Sequence, residues 1–397
     1  MSISRPVWLL GWVSFFTDTA TEMIYPLLPL FLTRVLGAGA MSLGIIEGVA
    51  EAANSAVRVI SGHFSDKWGT PKPLVFTGYL LSSLVRPLIG LATSWTQVLA
   101  LRFGDRLGKG IRGAPRDAML ATFASTEQRG RVYGFHRAMD HAGAVVGPLL
   151  ATGFLFFYPN DYRTLFALTL VPGAIVIILL LRVPNVRTHQ ESRTASAESV
   201  AAPSAQRPTP SADLMKALGI IFLFTLGNAS DAFLLLRLTD VGIAAVWIPL
   251  MWSALHVVKV VSSLAGGELS DRFGRRTMIG VGWTIYALVY AGFGFVDTQR
   301  FVIAMFLSYG LYFGLTEGVE KAWVADLTPA SGHGTAFGYY NAVLGVGSLI
   351  ASVLFGFIWT RVSPQSAFLT GAAIALAATL LLYLLFLRSN DEADLGH

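Results

Sequence analysis

The sequence contains no cysteine. That excludes a disulfide framework, an iron–sulfur cluster and a thiolate zinc site. Charge is also scarce. Asp, Glu, Lys and Arg make up only 13% of the 397 residues, where a soluble domain carries roughly 25%. There is no Gly-rich loop ending in Lys-Ser or Lys-Thr to cradle ATP phosphates. No His-x-x-x-His or Cys-x-x-Cys pattern offers a metal site. Soluble enzyme chemistry has no residues to run on, and neither cofactor nor metal is expected.

What is abundant is apolar. Hydrophobic residues make up 54% of the chain, and the mean hydropathy is +0.59. Apolar runs near the ~20 residues needed to span a bilayer recur along it. They predict helices over 8–33, 42–62, 73–93, 96–116, 131–157, 163–182, 215–237, 243–266, 278–296, 301–325, 335–359 and 366–387. The first run carries Asp18 and Glu22. It is too long and too acidic for a cleavable signal peptide. The net charge of +5 reads as loop charge that orients a membrane protein, not as a nucleic-acid patch. Loops near Lys67 and Lys72, Arg129 and Arg131, 182–216 and 272–276 are basic, and the alternate ones are not. By the positive-inside rule both termini face the cytoplasm of a bacterial-type inner membrane.

Residues 184–212 are rich in Ser, Ala, Pro and Gln. Such a composition cannot bury enough surface to fold alone. It reads as a cytoplasmic linker between two six-helix bundles, 1–183 and 213–397. The bundles repeat. Gly62, Asp66 and Gly69 are echoed by Gly267, Asp271 and Gly274, and Gly130–Gly134 by Gly334–Gly338, each about half a chain apart. A shared half-chain period marks a duplicated transporter fold.

Charges inside the apolar runs are the candidate functional residues. Arg102, Asp105, Arg106, Lys109, Arg112 and Arg116 recur at helical spacing. A charge in hydrocarbon costs at least a few kcal/mol unless it faces protein or water, so this stripe lines a cavity or sits in a paired network. Asp18 and Glu22 lie one turn apart in the first run, and Glu47, Glu51, Asn54 and Arg58 share one face of the second. Asp18 and Glu22 are candidates for proton or cation sites, or for a structural ion pair with Arg102 or Arg106. Arg137 and Asp140 in the fifth run, and Asp231 and Trp252 in the second half, complete the candidate cavity. Glu317 and Lys321 have the spacing of an ion pair. Arg116-Asp117 and Glu320-Lys321 fall at equivalent places in the two halves and are expected to latch a gate near helix ends. Tyr25, Trp252, Tyr312 and Tyr339 are candidates to wall a cavity for a flat organic molecule.

These residues resemble the major facilitator superfamily over essentially the whole chain. Gly62-x-x-x-Asp66-x-x-Gly69 and Gly267-x-x-x-Asp271-x-x-Gly274 resemble the family's signature in the loop between the second and third helices. The second copy keeps the basic pair Arg275-Arg276, which the first lacks. In the family that Asp helps hold the outward-open state. Arg102 with Gly108 and Gly110 resembles the fourth-helix motif tied to proton coupling, and Gly143-x-x-x-Gly147-Pro148 resembles the fifth-helix antiporter motif. The resemblance implies an all-α membrane protein of twelve transmembrane helices, not an enzyme. It implies proton-coupled export of small organic molecules by alternating access. The bilayer, a small-molecule substrate and protons are the expected partners of a monomer. The basic residues of the fourth and fifth helices favour an alternative cargo of organic anions or metal chelates such as siderophores.

Overall fold

Twelve helices follow one another in the computed structural model, which describes residues 4–68, 70–123, 129–185, 211–328 and 333–387. They are α1 (5–35), α2 (Ala40–Trp68), α3 (Lys72–Leu91), α4 (Trp95–Thr122), α5 (Arg129–Phe157) and α6 (Tyr162–Arg182). The second set is α7 (Ala212–Asp240), α8 (Ile248–Phe273), α9 (Arg275–Phe295), α10 (Gln299–Asp326), α11 (His333–Arg361) and α12 (Pro364–Leu382). No strand occurs among the described residues. Among those residues, nine of the helices are long and apolar enough to cross a membrane. The other three are α1, α2 and α4, and α4 carries Arg102, Asp105, Arg106, Lys109, Arg112, Arg116 and Asp117 along its length. Most of the linker, 186–210, lies outside the described residues.

Two helices change course at the level of the candidate site. In α1, Pro26 lies in a 3-10 turn, Tyr25–Leu27, which separates Arg5–Ile24 from a short outer segment. Proline has no N–H to continue the ladder. In α7 the break has no proline. Ala212–Gly227 and Ala232–Asp240 are helical, and Asn228 to Asp231 between them are not.

Packing within the two sets follows one pattern. In the first set α1 packs on α5 and α6, and α4 packs on α2 and α3. In the second set α7 packs on α11 and α12, and α10 on α8 and α9. The likeness reaches single atoms. The Ser61 hydroxyl donates to the Gly110 carbonyl at 2.8 Å, and the Ser262 hydroxyl to the Gly310 carbonyl at 2.8 Å. Between the sets, α2 lies along α11 and α5 along α8. Lipid offers no hydrophobic drive between helices, so small residues and close van der Waals contact must hold such seams. A Cβ on Gly44 of α2 would stand 2.2 Å from the Ser352 carbonyl oxygen of α11, and one on Gly345 of α11 2.7 Å from Ser55 of α2.

The α5 glycines serve the same packing. A Cβ on Gly143 would stand 2.3 Å from the Phe15 carbonyl oxygen, and one on Gly147 2.4 Å from that of Thr19. Pro148 lies inside the same helix without ending it. The repeated signature is more helical than a loop motif suggests. Gly62 and Asp66 fall within α2, and Gly267 and Asp271 within α8. Gly69 and the side chains of Asp66 and Asp271 lie outside the described residues. Gly274 turns α8 into α9 at φ +87°, a conformation glycine adopts without strain.

Candidate functional site

Two adjoining cavities lie between the sets of helices, and Tyr25, Arg106 and Asp231 border both. The larger has a volume of about 330 Å³. Acids and hydroxyls dominate its wall, with Glu47, Glu51, Glu317 and Glu320 among them, and Asn228 adds an amide. The smaller, about 190 Å³, holds Asp18, Glu22, Lys109, Trp252, His256 and Lys259. Both draw residues from α1, α4 and α7, so each set of helices supplies part of every wall.

Most charges at this depth are paired. Arg102 of α4 donates to Glu47 of α2 at 2.7 Å from Nη2 and 3.2 Å from Nε. Arg102 also approaches Asp105 at 3.7 Å, and Asp105 accepts from Arg86 Nε of α3 at 2.9 Å. Arg86 continues to the Thr17 carbonyl of α1 at 3.2 Å. Acids and bases thus alternate through three helices of the first set and end on the backbone of a fourth, and all four charged side chains are buried. Each pair offsets a desolvation cost of several kcal/mol per ion. Arg112 is held by Ser82 at 2.7 Å and lies 4.5 Å from the Tyr79 ring centre.

Arg106 has no such ion pair among the described residues. It is buried, it borders both cavities, and its Nε has no hydrogen-bond partner among the described residues. Lys109, one turn further along α4, extends into the smaller cavity.

Across the seam, Trp252 of α8 donates from Nε1 to Glu22 at 2.7 Å. The Trp252 and Tyr25 rings lie 5.2 Å apart. At the break in α7, Asp231 accepts from Lys259 at 2.9 Å and from the Tyr309 hydroxyl at 2.6 Å. The Lys259 ammonium also sits 4.4 Å from the Phe313 ring centre. Asn228 donates to the Tyr312 hydroxyl at 2.8 Å, and Ser230 to Glu47 at 3.5 Å. The non-helical residues of α7 therefore reach the charge network of the first set.

The structure rearranges several expectations. Arg102 pairs with Glu47 and Asp105, not with Asp18 or Glu22, because α2 brings Glu47 to it and Asp105 lies one turn along its own helix. Arg137 is exposed and Asp140 is held by Ser14 and His136; neither borders the two cavities. Tyr339 is 45% exposed, and its neighbour Tyr340 borders the cavity instead. Arg116 and Asp117 bond each other, and Asp117 reaches Arg58 at 3.8 Å, so this cluster ties α4 to α2 within one set of helices. Lys321 pairs with Glu317 at 3.1 Å as the spacing predicts. Glu320 does not join them at a helix end; it is buried within α10. Arg275 bonds Asp326 and Arg276 the Phe386 carbonyl, both within the second set.

Sequence reading missed Arg86, Lys259 and Asn228 as site residues. Arg86 had a signal, a single base inside an otherwise apolar run. Asn228 had none, because nothing local marks the break in α7.

Two helical sets of like packing enclose a polar cavity between them, which is the architecture of a membrane transporter. The Major Facilitator Superfamily signature matches residues 10–258 and 217–395, and the chain belongs to that family. It is 33% identical over 386 residues to an uncharacterised MFS-type transporter of Methanocaldococcus jannaschii, covering 96% of this chain and 94% of that one. It is 23% identical over 321 residues to the cis,cis-muconate transport protein of Acinetobacter baylyi, covering 76% and 74%. A shorter stretch of 157 residues is 29% identical to the multidrug resistance protein MdtH of Salmonella, 40% of this chain and 37% of that one. Among solved structures, a POT family transporter superposes with a TM-score of 0.78 at 12% identity, covering 96% of each chain. That likeness concerns the fold.

Proposed function

We propose that the protein is a proton-coupled secondary transporter of small organic anions, with all twelve helices crossing the membrane. Its two halves rock about the central cavities. The observation that carries this reading is Arg106, a buried guanidinium between both cavities whose Nε is unpartnered among the described residues. A guanidinium presents donors in a fork that matches a carboxylate. Lys109 adds a second cation on the same side of the smaller cavity. The similarity to a muconate transport protein agrees with such a cargo. Asp18 and Glu22 are the proton-carrying candidates in α1, and Arg102 holds Glu47 as part of the frame around them. Asp66 and Asp271, the acids of the repeated signature, act as latches at the helix ends.

The test is uptake into proteoliposomes of a panel of small carboxylates, cis,cis-muconate included, beside cationic dyes, with and without an imposed proton gradient. The expected result is gradient-dependent movement of carboxylates that Arg106→Gln weakens at least tenfold. Unchanged carboxylate transport by Arg106→Gln overturns the reading. A second reading, export of drug-like molecules, is favoured by the Gly143-x-x-x-Gly147-Pro148 pattern and the partial similarity to MdtH. In the same panel it appears as movement of the dyes in preference to the carboxylates.

A further inference from the structure

Glu320 differs from Glu47, Asp231 and Glu317, the three ion-paired carboxylates of the larger cavity, in what surrounds it. Glu47 has Arg102, Asp231 has Lys259, and Glu317 has Lys321, each within 3.1 Å. Among the described residues Glu320 has no base as a direct partner. Trp283 Nε1 of α9 donates to its Oε1 at 3.0 Å, and the Tyr340 hydroxyl of α11 to its Oε2 at 3.2 Å. Both donors are neutral. The residue is 7% exposed, yet it borders the larger cavity. The titratable groups facing it are Glu317, Lys321 and Tyr312 on its own helix and Tyr340 on α11. Of these, Lys321 is turned to Glu317.

The two donors differ in what they permit. An indole N–H can only donate, so Oε1 must remain an acceptor. A tyrosine hydroxyl can reverse, so Oε2 can carry a proton and donate to Tyr340. This pocket therefore satisfies the neutral acid completely, and it offers the carboxylate two hydrogen bonds but no counter-charge. An ionised carboxylate in such a place is costly. The larger cavity is the route by which a proton reaches or leaves it.

We propose that Glu320 binds and releases a proton from the larger cavity, which gives the second half of the chain a proton site of its own. Its use in transport rests on the proton-coupled reading above; the site itself does not. Beside the candidates Asp18 and Glu22 of the first half, it implies that more than one proton can accompany a transport cycle.

The test uses purified full-length protein without substrate. Glu320→Gln preserves the geometry, since a glutamine oxygen accepts from Trp283 and its amide donates to Tyr340. The variant is expected to melt like the wild type. Two readings follow. Infrared spectra recorded in H₂O and D₂O across an acid-to-alkaline titration should show a protonated-carboxyl band in the wild type that Glu320→Gln lacks. Potentiometric titration should show one bound proton fewer in the variant. An infrared band and a proton count both unchanged in Glu320→Gln overturn the proposal. If both change but the wild type ignores an imposed proton gradient in vesicles, the proton site stands and the coupled-transport reading falls.

Discussion

The alternation of Arg86, Asp105, Arg102 and Glu47 makes a quantitative prediction. Glu47→Leu leaves Arg102 to share Asp105, its neighbour at 3.7 Å, with Arg86. Among the described residues, Arg102→Met leaves the buried Glu47 with the Ser230 hydroxyl, at 3.5 Å, as its one direct partner. Removing one partner of a buried pair costs about 3–5 kcal/mol. That shifts the folding equilibrium roughly a hundredfold to a few thousandfold. Removing both is different. The double variant Glu47→Leu/Arg102→Met keeps the Arg86–Asp105 pair at 2.9 Å, and replacing a whole buried pair by apolar residues is often near neutral. The double variant is therefore expected to be more stable than either single one, with a coupling energy of about 3 kcal/mol or more. Reversible unfolding of all four proteins in mixed micelles measures it. Additive losses in the double variant would refute the claim that these charges stabilise by pairing.

Three other outcomes follow. Gly143→Val should prevent close approach of α1 and α5, where even a Cβ would lie 2.3 Å from the Phe15 carbonyl oxygen; size-exclusion profiles of the extracted protein should show loss of the monodisperse peak. Trp252→Phe should remove the indole donor that Glu22 meets across the seam and cost about 1.5–3 kcal/mol, the worth of a hydrogen bond to a charged group, while Trp252→Leu should weaken the α1–α8 contact further; thermal melting separates the two. At the loop between α9 and α10, Arg237 bonds and faces Asp297 and holds its carboxyl below the ordinary value of 3.8. A lowered native value means that this contribution is complete above 3.8 and is lost as the pH falls through the lowered value; Asp297→Asn should flatten the acid limb of a melting-temperature profile.

Helix number and order could be read from the apolar runs because twelve stretches near bilayer length fit a helical membrane bundle and little else. The repeat was legible because Gly62, Asp66 and Gly69 recur as Gly267, Asp271 and Gly274 at half-chain spacing. The ends were not. Helices such as α4 and α8 run on by a turn or more past the apolar stretch, since polar residues continue a helix that has left the hydrocarbon. Which charges pair could not be read either. Asp18 and Glu22 have the right spacing to meet α4, but the third helix supplies Arg86 and the second Glu47, and those distances exist only after packing. The break in α7 was invisible, since Gly227 and Asn228 occur in many unbroken helices. A Cβ on Gly227 would meet the Gly371 carbonyl oxygen at 2.8 Å, so α7 lies against α12 where its first helical part ends.

That break divides α7 into parts with different allegiances. The outer part is tethered to α9, where the buried Arg237 donates to the Phe293 carbonyl at 3.2 Å. The inner part is keyed to α12 at Gly227 and to α11, where Gly347 faces Thr225. Asn228 to Asp231 between them are held by side chains of other helices, Asn228 by Tyr312, Ser230 by Ser352 and Asp231 by Lys259 and Tyr309. A cargo resting against Asp231 would therefore touch the junction where the contacts of α8, α10 and α11 meet in one short stretch of chain.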